Sequence, residues 1–235
     1  MKPSAKKLKL KLISSRAARA FIRRHHYSGK VVNNSNVHFG VFWNGRLEGV
    51  MQYGPPLDKS KILGIIEGAP WNGVLELNRM AFKETLPRNS ESRAIAISVR
   101  MLKRAYPDLL FIVTFADASQ CGDGTIYRAS GFLLTQIKET RNLARLPSGE
   151  VVHKMTLEGR GGSVPRPELN GRTYFDATGG AYNFKKYCAE ARAEPLAGYQ
   201  IRYILPLRKD LKINCPILKY SEIAKRGATM YLGNA

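Results

Sequence analysis

The run Leu109-Leu-Phe-Ile-Val-Thr-Phe-Ala116, ended by Asp117, constrains the fold more than any other stretch of this chain. An unbroken apolar run of this length reads as a strand buried in a sheet. The chain then passes a loop with Gly122 and Gly124 and enters a short helix carrying Tyr127, closed by Gly131 and Phe132. A strand ending in a carboxylate, followed by a turn and a helix, is where α/β sheets place their sites.

The elements around this run follow from local signals. Residues 8–13 alternate apolar and basic, as a half-exposed strand does. Ser14 or Ser15 can cap a helix whose apolar side is Ala18, Phe21, Ile22 and His25, and Gly29 is positioned to stop it. Asn44-Gly45 between Val37–Phe42 and Leu47–Tyr53 predicts a hairpin, and Pro55-Pro56 ends its second strand. Strict alternation over Val74–Phe82 puts Glu76, Asn78 and Met80 on one face, opposite Leu75, Leu77, Arg79 and Ala81. A long helix begins within Asn89–Ser92, carries Ile95, Val99, Leu102 and Tyr106 on one stripe, and stops before Pro107. Later strands are expected at Phe132–Ile137 and Tyr199–Leu207. Between them, residues 139–198 are rich in Gly, Pro and Arg and read as long loops forming an insertion or a nucleic-acid-binding lobe. Its aromatics, among them Tyr174, Phe175, Tyr182, Phe184 and Tyr187, either stack on unpaired bases beside Lys185 and Lys186 or pack inward.

Charge points to the partner. Lys and Arg number 38 against 18 Asp and Glu, a formal net charge of +20. Such a charge destabilises the compact state by self-repulsion, so a polyanion is expected to bind it. Residues 1–47 contain no acid at all, and Lys6, Lys7, Lys9, Lys11, Arg23 and Arg24 fall there. A nucleic acid is the expected partner, double-stranded DNA under the resemblance below. A membrane is not, since no segment joins this charge to a wide apolar face or reaches the roughly 18 apolar residues of a span. Cys121, Cys188 and Cys215 are odd in number and widely spaced, which suits reduced thiols in a cytoplasm, that of an infected host cell under the resemblance below.

The ending Tyr127-Arg-Ala-Ser-Gly-Phe132 resembles the helix after the fifth strand of GNAT acyltransferases. The longer block from Asp117, with His25-His-Tyr-Ser-Gly29, Glu76-Leu-Asn-Arg79 and Asn89-Ser-Glu-Ser-Arg93, is similar to the Mom family of phage DNA-modification proteins. The resemblance spans roughly residues 14–137. It implies a mixed α/β GNAT-like domain over the whole chain that converts adenine in DNA to a carbamoylmethyl adenine resistant to restriction. It also implies that Tyr127 serves as general acid for the leaving group and that His26 and Tyr27 lie in the site. A phenol can protonate a departing oxygen or sulfur, His26 can accept a proton near neutral pH, and Tyr27 can stack on a base. Asp117 either orients the adenine amine or a base, or merely caps a turn. Arg79, with Asn78, Glu76 and Thr125, is a candidate for holding substrate or donor; the alternative for Arg79 is an ion pair with Glu76.

GNAT enzymes hold the coenzyme A pyrophosphate on a Gly-rich loop at a helix amino terminus. Here Leu86-Pro-Arg-Asn-Ser-Glu-Ser-Arg93 has no glycine, so the backbone cannot approach a pyrophosphate so closely, and Glu91 opposes its charge. Arg88, Ser90 and Arg93 remain candidates for holding phosphate. The donor is either acetyl-CoA or glycyl-tRNA. A glycyl group is an isomer of carbamoylmethyl: once on the exocyclic amine, its own amine can attack the ring carbon, and the five-membered intermediate can reopen without a redox step. An iron centre is a further alternative, since His25, His26, Asp117 and Glu76 contain the ligand types of a two-histidine, one-carboxylate site. The rival functions are a non-catalytic nucleic-acid-binding protein and a GNAT acyltransferase acting on another acceptor.

Overall fold

The computed structural model describes residues 4–27, 29–118, 122–158 and 160–228. Cys121 and Ser28 lie outside them. In chain order the regular elements begin with β1 (Lys9–Leu12), α1 (Ser15–His25), β2 (Val37–Trp43), β3 (Arg46–Gly54), α2 (Lys59–Leu63) and β4 (Val74–Phe82). They continue with α3 (Ser90–Ala105), β5 (Phe111–Asp117), α4 (Thr125–Ala129) and β6 (Leu133–Arg145). The last are β7 (Val151–His153), α5 (Lys154–Glu158), α6 (Tyr174–Thr178), α7 (Phe184–Glu190), β8 (Glu194–Pro206) and α8 (Ser221–Lys225).

The strands form one mixed sheet in the order β1-β2-β3-β4-β5-β8-β6-β7. Its one parallel pair, β4 with β5, is made through α3; the other neighbours are antiparallel. Up to α4 this is the element order expected of a GNAT-type domain. Asn44 and Gly45 both have positive φ, 48° and 80°, the two-residue turn whose twist matches its strands. Ser14 caps α1 by accepting from the Ala17 amide at 3.2 Å. The helix ends at His25, not at Gly29: His26 is already extended at ψ 136°, while its amide closes the last turn on the Ile22 carbonyl. Tyr106 likewise lies past the end of α3 and is exposed.

Helices cover both faces. On one, Ala94, Ile95 and Leu102 of α3 meet Phe39, Met51, Leu77, Ile112, Ile201 and Tyr203. On the other, Ala18, Phe21 and Ile22 of α1 pack on Val50 and Ala81, while Ile62 of α2 packs with Val74, Phe111 and Val113. Burying each of the Val, Leu, Ile, Met and Phe side chains among these contributes about 1.5–3 kcal/mol.

Residues 139–198 are not long loops. β6 and β8 pair far into them, as Arg145 opposite Glu194 shows, and Leu146, Val152, Leu157, Leu169, Tyr174, Tyr187 and Cys188 build a second core. Tyr174 and Tyr187 are fully buried and Phe184 nearly so, so these three face the core and not a base; Tyr182 is exposed. Gly and Pro in this segment mark turns between short elements, which is why composition alone reads as loop.

Gly124, at φ +80°, is the cap from which α4 starts. A Cβ there would stand 2.5 Å from the Tyr203 ring and 3.1 Å from that of Tyr127. Gly45 has the same φ and open space around it. Gly124→Ala should therefore cost roughly 2–4 kcal/mol, strain and clash together, and Gly45→Ala only the strain, about 1–2 kcal/mol. Urea midpoints at unchanged m-value would measure both.

Candidate active site

The site forms where β4 and β5 part. They pair only over Val74–Glu76 and Phe111–Val113. Beyond that β4 stays with β3 and β5 with β8, and the Thr114 hydroxyl donates to the Leu77 carbonyl (2.9 Å) at the fork. In β4, Leu77 pairs with Tyr53 and Arg79 with Gln52, so Asn78 is the extra residue of a bulge. The bulge overturns the strict alternation read from sequence. Before it Val74 and Glu76, and after it Arg79 and Ala81, lie on one face, the side of α1 and α2. Glu76 and Arg79 are thus neighbours, and the Arg79 charge acts on Glu76.

That face gathers most of the expected polar residues. Arg79 donates from Nε to the Lys30 carbonyl (3.2 Å) and from Nη1 to the Asn78 carbonyl (2.8 Å). Asn78 is buried; its Oδ1 accepts from the Ser35 hydroxyl at 2.9 Å, and its Nδ2 has no hydrogen-bond partner among the described residues. Asp117 ends β5 in phase with Phe111 and Val113, on the same side. His26 follows α1 with its ring 4.2 Å from that of Tyr27, which is 57% exposed. His25 instead sits 4.5 Å from Phe21, as an apolar-face residue does.

Burial and Arg79 set the protonation here. Burial raises the Glu76 carboxyl to about 7, with Arg79 opposing the rise. Burial, then the Arg79 charge, lowers His26 to about 4. The expectation that His26 titrates near neutrality is thereby corrected: it is neutral there, and Glu76 is the group that titrates. Burial and Arg79 also lower Lys30.

The lobe reaches this face. Lys30 Nζ donates to Thr156 Oγ1 of α5 at 3.0 Å. His153, at the end of β7, accepts the Met155 amide on Nδ1 at 3.1 Å. Burial lowers its pKa, the Asp117 charge raises it and Lys30 lowers it again. Sequence reasoning missed His153 and Lys30. The signal was slight: His153 is one of four histidines, lying in a segment read as loop.

Tyr127 stands on the opposite face. Its ring packs 5.6 Å from both Phe132 and Tyr203, against the α3-side core. Thr125 beside it is tied to Asp123, through its amide (3.1 Å) and its hydroxyl (2.7 Å), and Arg128 holds the other carboxylate oxygen at 2.8 Å. Asp123, just before the Gly124 cap, thus ties down the start of α4, and the Tyr203 hydroxyl donates to its carbonyl. On this face too, Arg88 and Arg93 line a surface cleft of about 730 Å³. Ser90 does not line it: it is fully buried and its hydroxyl donates to the Pro87 carbonyl.

The proposed nucleic-acid contacts are all exposed but lie apart. Lys6 and Lys7 form a short 3-10 turn, Lys9 and Lys11 lie on the edge strand β1, Arg23 and Arg24 on α1, and Lys185 and Lys186 on α7. Among the described residues no three His, Cys, Asp or Glu side chains come together as a metal site, so the iron set of His25, His26, Asp117 and Glu76 does not assemble. Nor is any described helix long and apolar enough to cross a membrane.

A parted mixed sheet with polar groups on one side of the fork and the α4 tyrosine on the other defines a GNAT-type domain. More narrowly, residues 7–222 match the Mom protein family, and the chain belongs to it. It is 37% identical over 161 residues to the methylcarbamoylase Mom of Escherichia phage Mu, covering 67% of this chain and 66% of that protein, just under two thirds of its length. Among solved structures, a Bacillus subtilis acetyltransferase in complex with CoA aligns over 86% of this chain and all of its own, at 12% identity and TM-score 0.46. The ribosomal-protein-S18-alanine N-acetyltransferase of Escherichia coli aligns over 88% of this chain and 99% of its own, at 13% identity and TM-score 0.42.

A histidine displaced from 6.5 to about 4 makes folding sensitive to acid. The unfolded chain takes up its proton first, so this residue's contribution to stability is lost as pH drops through this window. His25, His38 and His153 are lowered too and add to the slope. Glu76, raised from 4.5 to about 7, acts in the opposite sense over nearly the same range, because there the folded state takes up the proton first. The His26 effect is therefore read as a difference: the urea midpoint of His26→Gln relative to wild type should rise as pH falls from about 6.5 to about 4.

Proposed function

We propose that this chain is a DNA-modifying transferase that converts adenine to N6-carbamoylmethyladenine. Membership of the Mom family supports the reaction, and one observation carries the assignment of roles: the fork separates Glu76, Arg79, His26 and Asp117 on one face from Tyr127 on the other. The adenine is received on the α1 side. Tyr27, exposed beside His26, offers a ring on which a base can stack, and the unpartnered Asn78 amide is a donor for a base nitrogen. Glu76, titrating near neutrality, takes the proton lost by the exocyclic amine, and neutral His26 and Asp117 orient that amine. Tyr127, on the far side, protonates the departing group of the donor.

Conservation of atoms favours a glycyl donor. Attack of N6 on a glycyl ester breaks the ester C–O bond, forms the amide and returns one proton to the leaving oxygen. The glycyl amine then adds to C6, and the ring opens by breaking the bond between C6 and the original N6. That nitrogen leaves as the terminal amide, and no electrons are gained or lost. Joining the methyl carbon of an acetyl group to N6 would need an oxidant and a separate source of amide nitrogen.

Mass spectrometry of digested DNA from cells expressing the protein tests this; an unmodified adenine pool with folded protein would refute it. Tyr127→Phe keeps the ring packing and should lower modification by about 10²–10⁴-fold. The wild-type rate should climb as pH passes about 7 and Glu76 ionises. Glu76→Gln should be slow and lack that inflection.

A further inference from the structure

The cleft on the α3 side has a composition of its own. Lys6, Arg88, Arg93 and Arg100 supply four cations to its lining, and among the described residues that line it there is no carboxylate. Glu91, in the first turn of α3, is not among them. Arg93 holds the wall together by donating from Nη2 to the Lys6 carbonyl (3.2 Å), yet its Nε–H is buried with no hydrogen-bond partner. A buried donor left in that state costs about 1–3 kcal/mol. Beside four cations, an anionic oxygen is the acceptor that would satisfy it. Ala96 leaves the floor open, and Ser130 brings the far end to α4, the helix of Tyr127.

The shape fits a chain better than one compact phosphate pair. Arg93 and Arg100 stand seven residues apart, about 10 Å along the helix. Arg104 follows one turn on, and exposed Lys7 stands beside Lys6 in the turn before β1. Asn89, at φ 67°, and buried Ser90 occupy the start of α3 with side chains where a pyrophosphate would need bare backbone. The cleft is also on the face away from Glu76, Arg79 and Asp117. A duplex delivering adenine to that side cannot lie in this cleft as well.

We propose that this cleft binds the single-stranded 3′ end of an RNA that carries the acyl group as an ester on its terminal ribose. The strand runs from Lys6 and Arg100 past Ser130, so that the ester carbonyl arrives at the fork beside Tyr127. There the ribose oxygen takes a proton as the C–O bond breaks and the bond to N6 forms. This inference rests on the acyl-transfer reading above and names the carrier.

Binding is testable without turnover. Fluorescently labelled deacylated tRNA should bind the full chain with an affinity that falls steeply with salt. Arg100→Gln, at an exposed position, should lower the log–log salt slope by about 0.7, the loss of one single-strand phosphate contact, and Arg93→Gln with Arg100→Gln by about 1.4. Both should leave affinity for duplex DNA unchanged. Unaltered tRNA binding in Arg100→Gln and the double variant would overturn the assignment. So would displacement of the tRNA by coenzyme A, which makes the cleft a cofactor site, or an equal loss of duplex binding, which makes it the DNA site. Adenine modification persisting without tRNA binding sinks the cleft assignment alone; tRNA binding without modification sinks the reaction.

Discussion

Three residue pairs hold the two halves of the sheet together at its centre. Val74–Glu76 and Phe111–Val113 form the parallel contact; past it each strand has its hydrogen bonds on its other side, β4 with β3 and β5 with β8. A gap in a sheet normally leaves buried amides and carbonyls unmet, at a cost comparable to the bonds lost. Here Thr114 answers the Leu77 carbonyl, and the Asn78 bulge turns the strand away within one residue. The gap matters because a sheet is otherwise a barrier: groups on its two faces are separated by the backbone. Where it parts, a reaction can have one reactant above and the other below.

The bulge also decides the electrostatics. Without it Arg79 would face the α3 side and Glu76 would lose its nearest positive charge. With it, Arg79 stands among Glu76, His26 and Lys30 and acts on all three. The effects have different signs. Arg79 pulls the Glu76 carboxyl down against the larger effect of its burial, which leaves it near 7 instead of higher. It pushes His26 and Lys30 in the direction burial already takes them. Burial, opposed by one guanidinium at Glu76 and reinforced by it at His26, therefore leaves the carboxylate titratable and the imidazole neutral at the same pH. In the proposed reaction that division makes the carboxylate the proton acceptor and the ring a hydrogen-bonding partner.

Much of this was legible in the sequence, and the losses have physical causes. The Asn44-Gly45 hairpin, the α1 cap and the run into Asp117 are read from contacts a few residues apart, and they stand where expected. Asp117 and Tyr127 fall on either side of the fork for the same reason, since one short strand–turn–helix carries both. The faces of β4 were misread because a bulge is a property of two paired strands; the only trace of it within Val74–Phe82 is that Arg79 falls in phase with Leu75 and Leu77, and Met80 with Glu76. The insertion was misread because its order comes from β8 entering between β5 and β6, which closes over pairs such as Arg145 and Glu194 that are distant in the chain. His153 was invisible with it, since only that closure brings β7 and α5 back to Lys30 and the end of β5.

The same geometry accounts for the charge. Acids in this chain are largely held by nearby cations: Glu48 by Lys83, Asp123 by Arg128, Glu168 by Arg166, Glu190 by Arg172. Those pairs serve the fold and neutralise themselves, so the excess of +20 belongs to the surfaces. A protein meeting one polyanion could concentrate it on one face. Here exposed cations are divided between α1 and β1, on one side of the fork, and the Lys6 turn and α3 towards the other. Two basic surfaces raise the self-repulsion that the core must offset, and duplex DNA received on the α1 side, as proposed above, accounts for only one of them. The proposed acyl-carrying RNA, presented from the opposite side of the gap, would give the other surface its use.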